Sequence, residues 1–293
     1  MNMRIVGMAV AAVLTFNTLN AAEEKKEEKK AETKAGTAGV ISMDGSTTVG
    51  PIAKAFLAEF KKQNPKVEIQ LSESGSGNGA KALLNGSCDI ANMSRFMKNT
   101  EFEACTQKGV YPVAHVIALD GIAPIVHPSN PVKNLTIEQI KKIYTGDIKN
   151  WKDVGGPDKD IVVISRDTNS GTYEAWMEMV LGKEARMVSS AEYRGSSGLV
   201  RARVAATPGA IGYIGVGYVD DTVRGVPVNG IEPTPVTVRN GTYPISRPLF
   251  MFTNGYPAMG SDLYNFVTMY LTAEGQKIIE GIGFVPVTTY PAK

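Results

Sequence analysis

Short apolar runs alternate with amphipathic segments through the first third of the chain. The apolar runs predict strands at 40–42, 67–71, 88–92 and 113–119. The segments between them predict helices at 52–62, 80–85 and 102–108. This regular alternation of strand and helix indicates an α/β fold class with a largely parallel sheet.

The pattern continues, less regularly, toward the C-terminus. Further strands are predicted at 122–126, 161–164, 211–215 and 248–253. Further helices are predicted at 135–144, 173–181, 199–206, 260–270 and 273–280. The Gly- and Ser-rich segment 190–198 is predicted to be a polar loop, and the proline-interrupted segment 226–238 an irregular extended one.

Three of the predicted strand-to-helix junctions are rich in Gly, Ser and Thr. They lie at 43–51, 72–79 and 166–172. The first turn of a helix presents free backbone N–H groups and the positive end of the helix dipole, and both attract anions. An ordinary helix start also favours Ser or Thr, so one such junction is weak evidence. Three in one chain favour a shared anion site.

Two arginines fall at predicted strand ends. Arg166 lies at the third junction, and its planar donor fork suits an oxyanion. Ser94 and Arg95 follow the strand at 88–92. Because ligands of open α/β sheets bind beyond the carboxyl ends of the strands, we expect these residues and the three junctions to surround one anion.

Composition and motifs argue against nucleic-acid binding and against catalysis. The 293 residues carry a net charge of +2, and no basic cluster has interleaved aromatic residues. The only histidines, His115 and His127, belong to no pattern with metal-binding spacing. Neither a nucleophile–His–acid triad nor a Walker A loop is recognisable. The sequence therefore gives no indication of a metal, a cofactor or a catalytic group, and we predict that the chain is not an enzyme.

The N-terminus has the features of an export signal. Arg4 precedes an apolar stretch, 5–16, that is too short to span a bilayer, and a small-residue cleavage site ends at Ala21. Residues 1–21 are predicted to be a cleaved signal peptide, and the Glu- and Lys-rich residues 22–39 a charged flexible tether. No later stretch is apolar enough to span a membrane, so we expect a soluble periplasmic protein.

The chain has two cysteines, Cys88 and Cys105. Export to an oxidising compartment permits a disulfide, and an exported chain with two cysteines tends to pair them. The alternative is a pair of buried free thiols. We expect the bridge.

Six short motifs occur in an order that resembles one protein family. They are Asp44–Val49, Ser74–Gly79, Asp89–Arg95, Arg166–Thr172, Gly209–Tyr213 and Tyr243–Pro248. In this order they resemble the PstS-type phosphate-binding proteins of bacterial ABC transporters, from about Val40 to the C-terminus. The resemblance implies a two-lobed periplasmic-binding-protein fold. Each lobe would have a mostly parallel sheet flanked by helices, with the ligand in the cleft between the lobes.

The resemblance also implies lobe boundaries and partners. The chain of this family crosses between lobes twice, and here the crossings are placed near Asp120-Gly121 and Ser246-Arg247. Lobe one then comprises 40–119 and 248–293, and lobe two comprises 120–247. Inorganic phosphate is the implied ligand and an inner-membrane ABC permease the implied partner, and we expect a monomer.

Matching motif residues give the implied ligand-binding set. The Gly-Ser-Thr-Thr motif places Thr47 at the anion, with Ser46 and Thr48 beside it, and the Ser-Gly-Ser-Gly motif indicates Ser74 or Ser76. The complete set comprises Ser46, Thr47, Thr48, Ser74, Ser76, Ser94, Arg95, Arg166, Ser170, Gly171 and Thr172.

One departure from the family concerns the proton of the ligand. Some members have an Asp after the Asp-Ile-Ala-like strand that accepts the proton of monohydrogen phosphate, but here that place holds Ser94-Arg95. Arginine cannot accept a hydrogen bond, so selection of phosphate over sulfate requires another acceptor. Asp44 is our first choice, followed by Asp167, and Glu73 is a third candidate. All three also suit ordinary roles as turn residues, caps or ion-pair partners.

Three other functions stay open from the sequence. One is a receptor for a different oxyanion, such as sulfate or molybdate. Another is an exported phosphatase-like hydrolase, which needs an activated nucleophile or a metal. The last is a sensor-domain partner or adhesin, for which the charged tether is the only indication.

Overall fold

The computed structural model describes residues 39–182 and 184–288. The predicted signal peptide, and all of the predicted tether except Gly39, lie outside the described residues. Within the described part of the chain, no helix combines the length and the apolar character needed to cross a membrane.

Nine strands and nine α-helices occur in the described residues. The strands are β1 (Val40–Gly45), β2 (Glu68–Leu71), β3 (Ile90–Met93), β4 (Pro112–Val126), β5 (Val162–Arg166), β6 (Glu192–Arg194), β7 (Ala210–Gly215), β8 (Arg224–Gly225) and β9 (Ser246–Asn254). The helices are α1 (Gly50–Gln63), α2 (Ser76–Leu84), α3 (Asn99–Gln107), α4 (Ile137–Thr145), α5 (Gly171–Trp176), α6 (Ser197–Ala205), α7 (Pro235–Arg239), α8 (Asp262–Val267) and α9 (Ala273–Gly281).

The strands form one curled sheet in the order β2-β1-β3-β9-β4-β7-β5-β6, and β8 pairs with β4. Parallel pairs lie toward the two ends: β1 is parallel to β2 and β3, and β5 is parallel to β6 and β7. Antiparallel pairs occupy the middle, where β9 lies between β3 and β4 and β4 pairs with β7. The helix starts that follow β1, β2, β5 and β6 therefore lie at carboxyl ends of strands.

Strand β4 is longer than predicted and connects the two halves of the sheet. Its first part pairs with β9 as far as Gly121, opposite Ser246, and its last five residues pair with β7. The sequence predicted two separate strands here, which is wrong, because the chain stays extended through Asp120 and Gly121. A shift of register between Val116 and Ala118 is the only irregularity in its pairing with β9.

Apolar side chains form separate cores on the two sides of this crossing. One core contains Phe56, Phe60 and Phe266, and a smaller one beside it contains Phe250 and Phe252; we call this part lobe one. The core of lobe two includes the aromatic side chains of Tyr144, Trp151, Trp176 and Tyr213. Trp176 stacks on Tyr213 with ring centroids 4.3 Å apart. The residue boundaries predicted for the lobes stay a prediction, and Val285, assigned to lobe one, packs in the core of lobe two.

The predicted disulfide is contradicted by the structure, in which Cys88 and Cys105 are free thiols. Both are buried in the smaller core of lobe one, where they pack as small apolar groups. Burial raises the pKa of Cys88 to about 12 and also raises the pKa of Cys105, so neither is a reactive thiolate at neutral pH.

Two segments predicted to lack regular structure contain short elements. Residues 192–194 form β6, which pairs in parallel with β5, and α6 begins at Ser197. Residues 235–239 form α7, because Thr234 caps its start and Pro235 has the backbone angle of a first helical residue.

The helix predicted at 173–181 changes after Trp176 into a π-helical turn.

Candidate anion-binding site

Four helix starts meet between the lobes, two from each lobe. Their hydroxyl side chains are Thr48 before α1, Ser76 at α2, Thr172 at α5 and Ser197 at α6, and all four are completely buried. Ser and Thr favour helix starts. The preceding strands of the two lobes run in opposite directions, each toward the crossing at Asp120 and Gly121, so local preference and topology together gather these hydroxyls between the lobes.

Hydroxyl groups of the two lobes contact one another directly. Thr48 Oγ1 lies 2.9 Å from Thr172 Oγ1 and 3.5 Å from Ser197 Oγ. The Ser197 N–H donates to Thr47 Oγ1 at 3.4 Å, and the Tyr218 hydroxyl donates to the Thr47 carbonyl oxygen. The structure therefore shows the lobes in contact around the site.

Gly171 permits a second close approach between the lobes. Ser76 Oγ lies 3.4 Å from Ser94 Oγ and accepts a hydrogen bond from the Ser94 N–H at 3.1 Å. A Cβ atom added to Gly171 would lie 2.5 Å from Ser76 Oγ and 2.8 Å from Ser94 Oγ. A methyl group at this position would force one or both of these serine side chains to move.

Arg166 is a buried cation beside the hydroxyl groups, with 1% of its surface exposed. Its guanidinium donates to Ser197 Oγ at 3.1 Å and to the carbonyl oxygens of Arg194 and Gly195 at 3.1 and 3.2 Å. These acceptors are neutral, and no carboxylate of the described residues forms an ion pair with it. Burial lowers the pKa of Arg166 and the charge of Asp167 opposes this shift, but arginine remains protonated. A desolvated cation with only neutral partners favours a bound anion.

A second buried arginine, Arg247, contacts the same region but has its own carboxylate. Its Nη2 lies 3.1 Å from Asp120 Oδ2 and 2.9 Å from Thr172 Oγ1. Its Nη1 donates to the carbonyl oxygens of Ser94 and Gly171. Burial raises the pKa of Asp120, while Arg247 and the bond from the Val216 N–H oppose this shift. Arg247 therefore connects the crossing strands with both lobes' parts of the site.

Three predicted ligand-binding hydroxyls already have structural partners within the protein. Ser46 Oγ accepts from the Thr48 N–H at 3.2 Å, and Ser170 Oγ accepts from the Thr172 N–H at 3.2 Å. Ser74 Oγ donates to Asp44 Oδ1 at 2.7 Å and is partly exposed, whereas Ser76 is fully buried. The sequence indicated either Ser74 or Ser76 as a ligand-binding residue. Ser76 is the one whose hydroxyl is buried with those of Thr48, Thr172 and Ser197.

Arg95 differs from its predicted role because its donors already have carboxylate partners. Its Nη1 and Nη2 donate to Glu101 at 2.8 and 2.7 Å, and Nη1 also donates to the Phe96 carbonyl oxygen. Its Nε lies 2.8 Å from Glu174 Oε2 in an ion pair without hydrogen-bond geometry. The prediction that Arg95 binds the anion does not agree with this arrangement.

The three candidate proton acceptors have different surroundings. Asp44 Oδ1 accepts hydrogen bonds from the Gly45 N–H and from Ser74 Oγ, both at 2.7 Å. Glu73 forms an ion pair with Lys54. Asp167 Oδ1, in contrast, is buried and has no hydrogen-bond partner among the described residues. Asp167 is thus the candidate whose carboxylate has a buried oxygen that accepts no hydrogen bond from the described residues.

Three residues of the site were not predicted from the sequence: Ser197, Tyr218 and Arg247. Ser196-Ser197-Gly198 before a helix is the same Gly/Ser junction signal as at the other three, but no apolar run precedes it because β6 is short and polar. Arg247 lies in the motif Tyr243–Pro248, but no contact with the ligand was predicted for it. Tyr218 gave no signal, since its contact with Thr47 spans 171 positions of sequence.

Comparison with known proteins places the chain in a family. Residues 30–271 match the PBP superfamily domain. The chain is 34% identical to the phosphate-binding protein PstS of Bacillus subtilis, over 92% of this chain and 88% of that protein. The chain belongs to the PstS-type family of phosphate-binding proteins. Protein SphX of Synechococcus elongatus is a further relative, 34% identical over 87% of this chain and 78% of its own length.

A solved structure supports the same assignment. The putative phosphate ABC transporter substrate-binding protein of Clostridium perfringens, solved with bound phosphate, superposes with a TM-score of 0.80. It is 39% identical, and the match covers 85% of this chain and 100% of that one. The predicted two-lobed periplasmic-binding-protein fold is therefore confirmed, as is the resemblance to PstS-type proteins. Membership of this family of transporter binding proteins also confirms that the chain is not an enzyme.

Proposed function

We propose that this chain binds inorganic phosphate in the cleft between its two lobes and delivers it to an ABC permease of the inner membrane. The names of its PstS relatives and the phosphate bound to the Clostridium perfringens protein support this ligand. We further propose that residues 1–21 direct export of the protein and that it acts in the periplasm as a monomer.

One observation carries this proposal: the buried guanidinium of Arg166, which forms no ion pair among the described residues, lies beside buried hydroxyls from both lobes. A phosphate ion offers several acceptor oxygens, and Arg166 with Thr48, Ser76 and Thr172 offers donors from different directions. Such a ligand would neutralise the buried cation and bridge the lobes, so its binding favours the closed arrangement.

We assign acceptance of the ligand's proton to Asp167. Phosphate is partly protonated near neutral pH and sulfate is not. An unprotonated carboxylate can therefore accept a hydrogen bond from the O–H group of phosphate, whereas it only repels sulfate. The partnerless Oδ1 of Asp167 supports this role. Asp44, which the sequence ranked first, already uses its Oδ1 to hold Gly45 and Ser74.

Isothermal titration of the mature protein with phosphate, sulfate and molybdate tests the proposal. We expect saturable binding of phosphate, with sulfate and molybdate bound at least about a hundredfold more weakly, about 2.7 kcal/mol. Binding of sulfate or molybdate in preference to phosphate would favour the alternative oxyanion receptor. Absence of binding to all three anions would refute the proposal.

A further inference from the structure

A cluster of charged side chains joins the two lobes outside the hydroxyl site. Glu174 lies in the first turn of α5, in lobe two, and its Oε2 is 2.8 Å from Arg95 Nε and 2.9 Å from Lys98 Nζ, both in lobe one. The side chains of Arg95 and Glu174 are 8% and 18% exposed, so solvent and salt screen their attraction less than at an open surface. We call Arg95, Lys98, Glu101 and Glu174 the interlobe cluster.

Arg95 has a second carboxylate within its own lobe. Glu101 binds both terminal nitrogens of Arg95 at 2.8 and 2.7 Å and accepts the Lys98 N–H at 2.9 Å. Glu101 belongs to the first turn of α3, so it fixes Arg95 and the start of this helix independently of lobe two. If the lobes separate, Arg95 keeps a partner, and only the bonds to Glu174 are broken. Within the interlobe cluster, opening therefore costs only the ion pairs of Glu174.

The same helix carries Glu174 and part of the hydroxyl site. Thr172 precedes Glu174 by two residues on α5, and Thr172 Oγ1 lies 2.9 Å from Thr48 Oγ1 of lobe one. A motion that brings Thr172 to Thr48 consequently brings Glu174 to Arg95 and Lys98. Ligand capture and formation of the interlobe cluster are thereby mechanically coupled.

We propose that Glu174 is a latch residue, whose ion pairs with Arg95 and Lys98 form when the lobes close and hold them closed over the ligand. This inference rests on the proposed binding of phosphate between the lobes. Because the latch forms after the ligand has entered, its loss accelerates release and leaves association nearly unchanged. Arg95 then acts on the ligand through lobe closure and not by direct contact.

Glu174→Gln tests the latch, because it removes the charge and keeps the size of the side chain. We expect stopped-flow and titration measurements on the mature protein to show phosphate release and Kd both increased about three- to tenfold, with the association rate within about twofold of wild type. Glu59→Gln is the matched control. Glu59 is 21% exposed and pairs with Lys62 at 2.6 Å inside α1, so its loss should leave phosphate release unchanged.

Salt and a second variant make the test specific. In about 1 M NaCl most of the difference between wild type and Glu174→Gln should persist, because salt screens a poorly exposed ion pair much less than a surface pair. The side chain of Lys98 is 52% exposed, so Lys98→Met should accelerate phosphate release less than Glu174→Gln does. The double variant should release phosphate no faster than Glu174→Gln alone. Lys98→Met also keeps the test decisive if Glu174→Gln fails to fold.

Two negative outcomes are distinguishable. Wild-type protein that binds no phosphate would overturn the proposed function and the latch together. Wild-type protein that binds phosphate, with Glu174→Gln or Lys98→Met releasing it at the wild-type rate, would overturn the latch alone. If Glu59→Gln accelerated phosphate release as much as Glu174→Gln, the latch would also be overturned. The effect would then follow from the change in the protein's net charge and not from the ion pairs of Glu174.

Discussion

Asp120 and Arg247 form a buried ion pair, with Oδ2 and Nη2 3.1 Å apart, and they are paired residues of β4 and β9. Arg247 also donates to the Ser94 carbonyl oxygen of lobe one and to the Gly171 carbonyl oxygen of lobe two. One ion pair thus fixes the crossing strands and supports the backbone of the anion site.

Loss of Asp120 should destabilise the protein strongly. Asp120→Asn leaves the charge of Arg247 buried without a counter-ion, which costs roughly 3 kcal/mol of unfolding free energy. Urea unfolding of the ligand-free protein measures this loss. Asp158→Asn, which breaks an exposed pair with Lys152, should change the unfolding free energy by less than about 0.5 kcal/mol. A loss below about 1 kcal/mol in Asp120→Asn would show that this pair does not stabilise the crossing.

Removal of the Arg166 side chain should nearly abolish binding. Arg166→Ala deletes the buried cation that faces the hydroxyls, and we expect a loss of roughly 2–5 kcal/mol in the binding free energy of phosphate. Arg166→Lys should recover only part of it, because an ammonium lacks the planar donor fork. Arg239→Ala, at a surface pair with Glu280, is the control and should bind normally. Unchanged titration of Arg166→Ala would rule out its role.

A methyl group at position 171 should prevent the lobes from closing. Gly171→Ala places a Cβ atom 2.5 Å from Ser76 Oγ, so Ser76, Ser94 or the lobe itself must move away. We expect phosphate affinity to fall at least about tenfold, with little change in ligand-free stability. Gly281→Ala, where an added Cβ atom meets nothing within 4 Å, should leave titrations unchanged. Normal affinity in Gly171→Ala would show that the closed contact is dispensable.

Asp167 should control the choice between phosphate and sulfate. Asp167→Asn removes the acceptor charge and introduces a donor, so phosphate should bind about 1–3 kcal/mol more weakly and the preference over sulfate should narrow. Asp44→Asn should keep the preference, because Asp44 supports the Ser74 loop. Competition titrations compare the two variants. If Asp44→Asn narrows the preference for phosphate over sulfate and Asp167→Asn does not, Asp44 is the proton acceptor, as the sequence alone suggested.

Strand ends and helix starts were predictable because they depend on local sequence. Thr48, Ser76 and Thr172 stand in Gly/Ser/Thr junctions after apolar strands, and the strands of both lobes run toward the crossing, which brings these junctions together. Ser197 was missed because the three-residue strand before it is polar and gains its order from pairing with β5. The pattern of apolar residues carries no information about such a strand.

Partners that are distant in sequence were not predictable. Arg95 has the chemistry of an anion ligand, and only the fold brings Glu174, 79 positions later, to its Nε. The cysteines were misassigned for a similar reason, since a tendency to pair says nothing about the geometry that a disulfide requires. Sequence therefore indicated the type of site, while packing decided which charged groups remain available to a ligand.

A crystal structure of the mature protein grown with phosphate is the most direct test of the central claim. The account predicts one tetrahedral anion between the lobes, with oxygens about 2.7–3.1 Å from the Arg166 guanidinium and from hydroxyls among Thr48, Ser76 and Thr172. Phosphate bound elsewhere, or bound without contact to Arg166, would contradict the account.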